Sequence, residues 1–206
     1  MIYFIGGSPC SGKSTLAAAL AEEYGLYYFK VDDYLEQYLK TGASAGKEYC
    51  LKATQMSPEQ IWMRPPAEQC REEIEIYKEI SGYIMADLEK LNCEKGIITE
   101  GAAYLPQLAA QYRIPANRYI SVTPTKEFQV FHYSKREWVP YVIGACSDRE
   151  KAFDNWMERD ALFAIAVQKQ CRALGYVSLI NDGAVAADEM KAAVAAHFGL
   201  KTSRND

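Results

Sequence analysis

Apolar positions along the chain follow two periods that alternate. Short runs rich in β-branched and aromatic residues predict strands at Ile2–Ile5, Tyr27–Val31, Gly96–Thr99, Arg118–Val122 and Tyr176–Ile180. Several are apolar without interruption, as strands covered on both faces should be. Between them the spacing lengthens to three or four. Leu16, Leu20 and Tyr24 share one helical face, and Gly25 follows as a stop. Cys70, Ile74, Tyr77, Ile80, Ile84, Leu88 and Leu91 predict a long helix over Ala67–Leu91, started by Pro65-Pro66. A third helix is expected over Arg149–Leu174 with Gly175 as its cap. A last amphipathic one begins near Asp188 and uses Met190, Val194 and Phe198. This alternation predicts an α/β fold on a mainly parallel sheet.

Two segments break the alternation. Asp33 to Pro66 is polar and interrupted by Gly42, Gly46 and Pro58; Phe131 to Asp148 mixes basic and aromatic residues with Pro140 and Gly144. Both are expected as insertions over the carboxyl ends of the strands, where open α/β sheets bind ligands. Irregular stretches this long more often form lids or binding elements than idle loops.

Composition adds mainly exclusions. The net charge of -4 gives no reason to expect nucleic acid or an acidic membrane as a standing partner. No apolar run approaches the ~20 residues of a membrane span. The apolar start leads directly into a glycine-rich turn, so no secretion signal is expected. Six scattered cysteines without a C-x-x-C pair read as reduced thiols, which points to the cytoplasm. His132 and His197 are isolated and suggest neither a metal set nor a Ser-His-Asp arrangement. A monomer and a homodimer both stay open.

The chemistry is concentrated after the first strand. Gly7-Ser8-Pro9-Cys10-Ser11-Gly12-Lys13-Ser14 matches the phosphate-binding loop G-x-x-x-x-G-K-[ST], set between a strand and a helix. Its glycines let several backbone N–H groups converge on one anion, and the helix adds its positive end. Lys13 can reach β- and γ-phosphates, the Ser14 hydroxyl can ligate Mg²⁺, and Thr15 can donate near the α-phosphate. A nucleoside triphosphate is the expected ligand. Cys10 lies inside this loop. The helix N-terminus could lower its pKa, or it is simply a small loop filler.

Five further sets accompany the loop. In Tyr28-Phe29-Lys30-Val31-Asp32-Asp33-Tyr34 a strand ends in paired carboxylates. Asp32 is read as the base for an attacking hydroxyl or as a holder of Mg²⁺ through water, and Asp33 as a helix cap or substrate contact. Gly96-Ile97-Ile98-Thr99-Glu100-Gly101-Ala102 ends a strand in Glu-Gly. Glu100 could order the Mg²⁺ water shell or hold a substrate hydroxyl, and Gly101 could admit substrate to the backbone. The basic set Lys135, Arg136, Arg149, Lys151 and Arg159 could neutralise charge on a migrating phosphoryl group, with Arg159 in helical register with Asn155 and Trp156. Trp62 and Arg64, before the long helix, could stack on and pair with an acceptor or serve packing. Asn181-Asp182-Gly183 could edge the adenine or form a plain turn.

GSPCSGKST, VDDYLEQY, ITEG and an Arg-bearing segment before a helix together resemble the small P-loop kinases of the nucleoside and nucleotide kinase-like group. The paired-Asp strand end is similar to that of uridine kinase-like enzymes. The two-helix insertion resembles the acceptor region of adenylate or shikimate kinases, and zeta toxin-like and chloramphenicol phosphotransferase-like enzymes share the outline. The resemblance implies a three-layer α/β/α domain over residues 1–206 with a five-stranded parallel sheet ordered 2-3-1-4-5. It also implies a helical acceptor-binding insertion within 33–95 and a lid over 131–149. ATP with Mg²⁺ would be the donor, and a small hydroxyl or phosphate compound the acceptor. The chain has no arginine-x-x-arginine-glycine lid and no shikimate-type Asp-x-Asp, so no single member supplies the acceptor. The competing expectation is a nucleotide-dependent ATPase or switch acting through a protein partner. Against it, the chain lacks Asn-Lys-x-Asp and a Walker-B Asp.

Overall fold

A computed structural model describes residues 1–201. Five strands, β1 (Ile2–Gly7), β2 (Tyr27–Lys30), β3 (Ile97–Glu100), β4 (Tyr119–Pro124) and β5 (Val177–Asn181), form one all-parallel sheet ordered β2-β3-β1-β4-β5. The predicted strands are all present, each shifted by one or two residues. The shift matters at β1, which runs on into Gly6 and Gly7 and so delivers the phosphate loop directly from the sheet.

Alternation within each strand builds the layers. Tyr3 and Ile5 of β1, Ile98 of β3, and Ile120 and Val122 of β4 face one side. There they meet Leu16 and Leu20 of α1 (Lys13–Tyr24) and Val194 and Phe198 of α10 (Ala187–Phe198). Phe4, Ile97 and Tyr119 face the other side, against α5 (Pro66–Lys90), α6 (Pro106–Gln111) and α9 (Arg149–Leu174). Neighbouring residues of a strand point to opposite faces, so continuous apolar runs are what a doubly covered sheet requires. Helix ends also follow the sequence: Gly25, Gly175 and Gly199 close α1, α9 and α10 in the left-handed conformation.

The Asp33–Pro66 stretch is largely helical. A short 3₁₀ turn (Val31–Tyr34) leads into α2 (Leu35–Ser44), α3 (Glu48–Gln55) and α4 (Pro58–Trp62). The α2 and α3 helices approach closely because Gly42 has no side chain; a Cβ there would lie 2.6 Å from Cys50 Sγ. The open N-terminus of α3 is satisfied from α5, where Glu79 accepts from the Tyr49 and Cys50 N–H groups at 3.2 and 2.9 Å. Ser57 and Gln60 form a reciprocal capping box on α4.

The 131–148 segment begins in the last turn of α7 (Lys126–Tyr133), carries α8 (Val139–Val142), and makes a third apolar cluster. Tyr133, Val139, Ile143 and Cys146 pack there on Trp156 and Met157 of α9. Ser147 ties it to α4 through two 2.7 Å hydrogen bonds to the Glu59 carboxylate. Among the described residues, no helix is long and apolar enough to cross a membrane.

Candidate functional site

The glycine-rich loop that carries the phosphate-loop pattern begins where β1 meets its neighbours too closely for side chains. A Cβ on Gly6 would lie 2.3 Å from the Tyr119 hydroxyl, and one on Gly7 (φ 124°) 1.8 Å from the Val122 carbonyl. The loop then turns through Cys10 at φ 60° and Gly12 at φ 89°. Gly12 opens α1 with no side-chain cap, which leaves the first-turn N–H groups of α1 without an intrahelical or capping acceptor. Ser8 and Ser11 are buried, and neither hydroxyl has a partner.

Lys13 is buried beneath this loop and donates from Nζ to the Ser8 carbonyl at 2.7 Å. Burial pulls its pKa down; Glu100 foremost, then Asp32 and Asp160, pull it back up. Glu100 is fully buried at the end of β3, in lateral register with Ile5 of β1 and Lys30 of β2. Burial raises its pKa and the Lys13 charge opposes the rise. The Tyr28 hydroxyl donates to Glu100 Oε1 at 3.0 Å, Oε2 has no partner, and Ser14 lies within reach of both side chains.

A cleft of about 390 Å³ opens above the loop, walled by residues 9–15, Asp32, Leu35, Tyr77, Tyr133, Arg136 and Trp138. The Arg136 guanidinium lies over the Tyr133 and Trp138 rings, 4.6 and 5.4 Å from their centroids. Leu35 and Tyr77 also line a second cavity of about 180 Å³ between α2–α4 and α5, which contains Arg64, Gln69, Glu72, Glu73 and Arg159. The two compartments therefore share a wall.

Several expected site residues lie elsewhere or do something else. Asp33 is exposed and pairs with Lys30 at 3.3 Å, and it caps no helix. Asp32 alone of the pair lines the cleft. Gly101 is glycine because of packing: a Cβ there would meet Val31 Cβ at 2.9 Å, so the neighbour is the protein itself. Asn181 braces the phosphate loop, donating from Nδ2 to the Ser11 carbonyl at 3.0 Å. Trp62 is a strut, stacked on Trp156 at 4.6 Å, and its carbonyl accepts from Asn155 at 2.9 Å. Arg159 is buried at the second cavity, between Glu73 (2.7 Å) and Asp160 (2.6 Å), and 5.1 Å from the Trp62 ring. Lys135, Arg149 and Lys151 are exposed and line neither compartment. The Cys10 thiol is pushed up by burial, not lowered by the helix end; the Arg136 charge offsets this only in part.

Sequence reading passed over Tyr28, Tyr77, Glu73 and Asp160. Tyr77 counted only as one of the apolar positions of its helix. Asp160 follows Arg159 directly in the chain, and a carboxylate beside an arginine on a mostly apolar helix face was the available signal.

No family model matches the chain, and no curated protein matches it in sequence. Solved structures do match it. A Thermus thermophilus protein, TT1252, aligns with a TM-score of 0.52 at 18% identity over 98% of each chain. A Chloroflexus aurantiacus protein, described provisionally as a kinase, aligns with a TM-score of 0.49 at 17% identity, over 95% of this chain and 97% of that one. The likeness to TT1252 bears on the fold alone, here a parallel five-stranded α/β sheet ordered 2-3-1-4-5.

Proposed function

We propose that this protein is an ATP- and Mg²⁺-dependent phosphotransferase that moves the γ-phosphate of ATP to a hydroxyl or phosphate group of a small molecule. One observation carries the reading: the phosphate-loop cleft, with Lys13, Asp32 and Arg136 on its walls, adjoins a second cavity across Tyr77. A simple nucleotide switch has no use for that second compartment.

The residues fit the donor. Unpartnered Ser8 and Ser11 hydroxyls, the uncapped α1 N-terminus and a loop held at positive φ make a cradle of donors suited to a polyphosphate. Ser14 would hold Mg²⁺ directly, with Glu100 and Asp32 ordering its water shell; the bound ion supplies charge neutralisation between phosphates. Lys13 exchanges its carbonyl partner for phosphate oxygens. Arg136, held over two aromatic rings, stabilises charge on the migrating group. Asp32 accepts the proton of the attacking hydroxyl.

The test is acceptor-stimulated ATP consumption with Mg²⁺ across nucleosides, nucleotides, sugars and amino alcohols, with Lys13→Ala alongside. Consumption that requires both an acceptor and Lys13 supports the reading. ATP binding with slow turnover that no acceptor accelerates would favour the switch instead.

A further inference from the structure

The second cavity is sized for one ring with its substituents. Its volume is about 180 Å³, and an apolar cavity of about 150 Å³ is enough to hold benzene. Its charges are already matched. Arg64 contacts Glu68 at 3.1 Å and Glu72 at 2.5 Å, and Glu72 also holds Lys52 at 2.5 Å. Arg159 contacts Glu73 and Asp160. Three cations therefore meet four carboxylates. An entering phosphate or carboxylate would have to draw an arginine away from its partner and then lie beside the carboxylate so released. Leaving a buried charge without its partner is strongly unfavourable.

The hydrogen-bonding groups point the same way. Four buried polar atoms of the lining lack hydrogen-bond partners: Arg64 Nε, Arg159 Nε, Gln69 Oε1 and Glu73 Oε2. Gln69 is 4% exposed, and its amide nitrogen donates to the Arg64 carbonyl at 2.8 Å, which leaves Oε1 as the free end. Glu73 Oε2 touches Arg159 Nη1 at 2.7 Å, out of line for a hydrogen bond. Two acceptors and two donors thus call for a ligand that donates as well as accepts. A hydroxyl does both and an ammonium donates; an anion only accepts, and would leave Gln69 Oε1 and Glu73 Oε2 unmet. Leu39, Met56, Ile61 and Ile76 supply an apolar wall for the rest of the molecule.

We infer that the acceptor is an uncharged or cationic alcohol of about one ring's size, with an apolar body and a second hydroxyl or an amino group, and that phosphorylated and carboxylate acceptors are rejected. The word acceptor rests on the phosphotransferase reading above; the charge preference of the cavity does not.

Three near-isosteric probes separate the charge states: 2-amino-1-phenylethanol, 1-phenyl-1,2-ethanediol and mandelate. Their binding to the full chain is measured by saturation-transfer NMR at millimolar concentration, with ATP binding measured separately by calorimetry. The expected result is binding of the amino alcohol and the diol, with mandelate weaker by about tenfold or more. Glu73→Gln, which removes one negative charge without changing shape, should narrow that gap; if the variant does not fold, the wild-type comparison decides. Mandelate binding as tightly as the diol, or no binding of any probe, would overturn the inference. Loss of ATP binding with the probe preference intact would instead overturn the phosphotransferase reading.

Discussion

Nη2 of Arg136 donates to Sγ of Cys10 across 3.4 Å, joining the 131–148 segment to the phosphate loop. A sulfur is a weak acceptor, so this contact yields readily to phosphate oxygens, which make charge-assisted and bidentate bonds to guanidinium. Arg136→Ala is expected to lower turnover about a hundredfold with a smaller loss of ATP affinity. Arg136→Lys should rescue little, because an ammonium lacks the planar fork and the stacking on Tyr133 and Trp138. Arg149, exposed at the first turn of α9, serves as the contrast, and Arg149→Ala should match wild type. Steady-state kinetics check all three, and equal losses at 136 and 149 would remove Arg136 from the mechanism.

The adjacent aspartates separate by position. Asp32 lines the cleft, while Asp33 is exposed and paired with Lys30. Asp32→Asn should lower kcat by about a hundredfold or more, as loss of a general base does, and leave ATP binding nearly intact. Asp33→Asn should be close to wild type in both. If Asp32→Asn loses kcat and ATP affinity in equal measure, its role is metal or structural rather than acid–base.

What could be read ahead of the structure follows from how local each signal is. The strands and the glycine-rich loop between β1 and α1 were legible because their determinants lie in consecutive residues: an apolar run, glycines at fixed spacing, a lysine and a helix; the sheet order came only through the resemblance to small P-loop kinases. Gly101 misled because its reason is a side chain seventy positions earlier, Val31, which packs where a Cβ would be. For Trp62 the packing alternative holds, and Arg159 points to the second cavity rather than the cleft. A tryptophan before a helix and an arginine on one look available for ligand, yet Trp62 stacks on Trp156 and Arg159 is held by two carboxylates. Asn181 was placed near the nucleotide, but its partner is the loop backbone at Ser11. The second cavity was the least legible feature. It is assembled from α2, α3, α4, α5 and α9, and no single stretch carries its pattern.

Asp160 makes stability depend on pH. Burial pushes its carboxyl up to about 7, with Arg159 opposing the rise and Glu73 adding to it. The unfolded chain releases this proton near pH 4. Between about pH 4 and pH 7 the native state therefore holds more protons than the unfolded state, so this group's contribution to stability falls as pH rises through that window. Asp160→Asn cannot titrate and should lack this fall. Urea midpoints at about pH 5 and pH 8 check it: wild type should decline relative to the variant on going to the higher pH. An identical change in both proteins would assign the pH dependence elsewhere.

Two glycines of the same chain should respond to alanine in opposite directions. Gly82 is exposed in the interior of α5, and nothing lies within 4 Å of where its Cβ would be. Alanine there narrows the unfolded ensemble and meets no neighbour, so Gly82→Ala should stabilise by about 0.5–1 kcal/mol. Gly7 stands at the other extreme. Its φ of 124° is one that L side chains rarely adopt, and a Cβ would fall 1.8 Å from the Val122 carbonyl oxygen, a backbone atom fixed by the β1–β4 ladder. Gly7→Ala must therefore part β1 from β4 or distort the loop, and should cost about 3 kcal/mol or more. Thermal and urea unfolding of the two variants side by side check the contrast. A neutral Gly7→Ala would mean that the loop can leave the sheet without cost, and would undercut the rigid cradle on which the proposed phosphate binding depends.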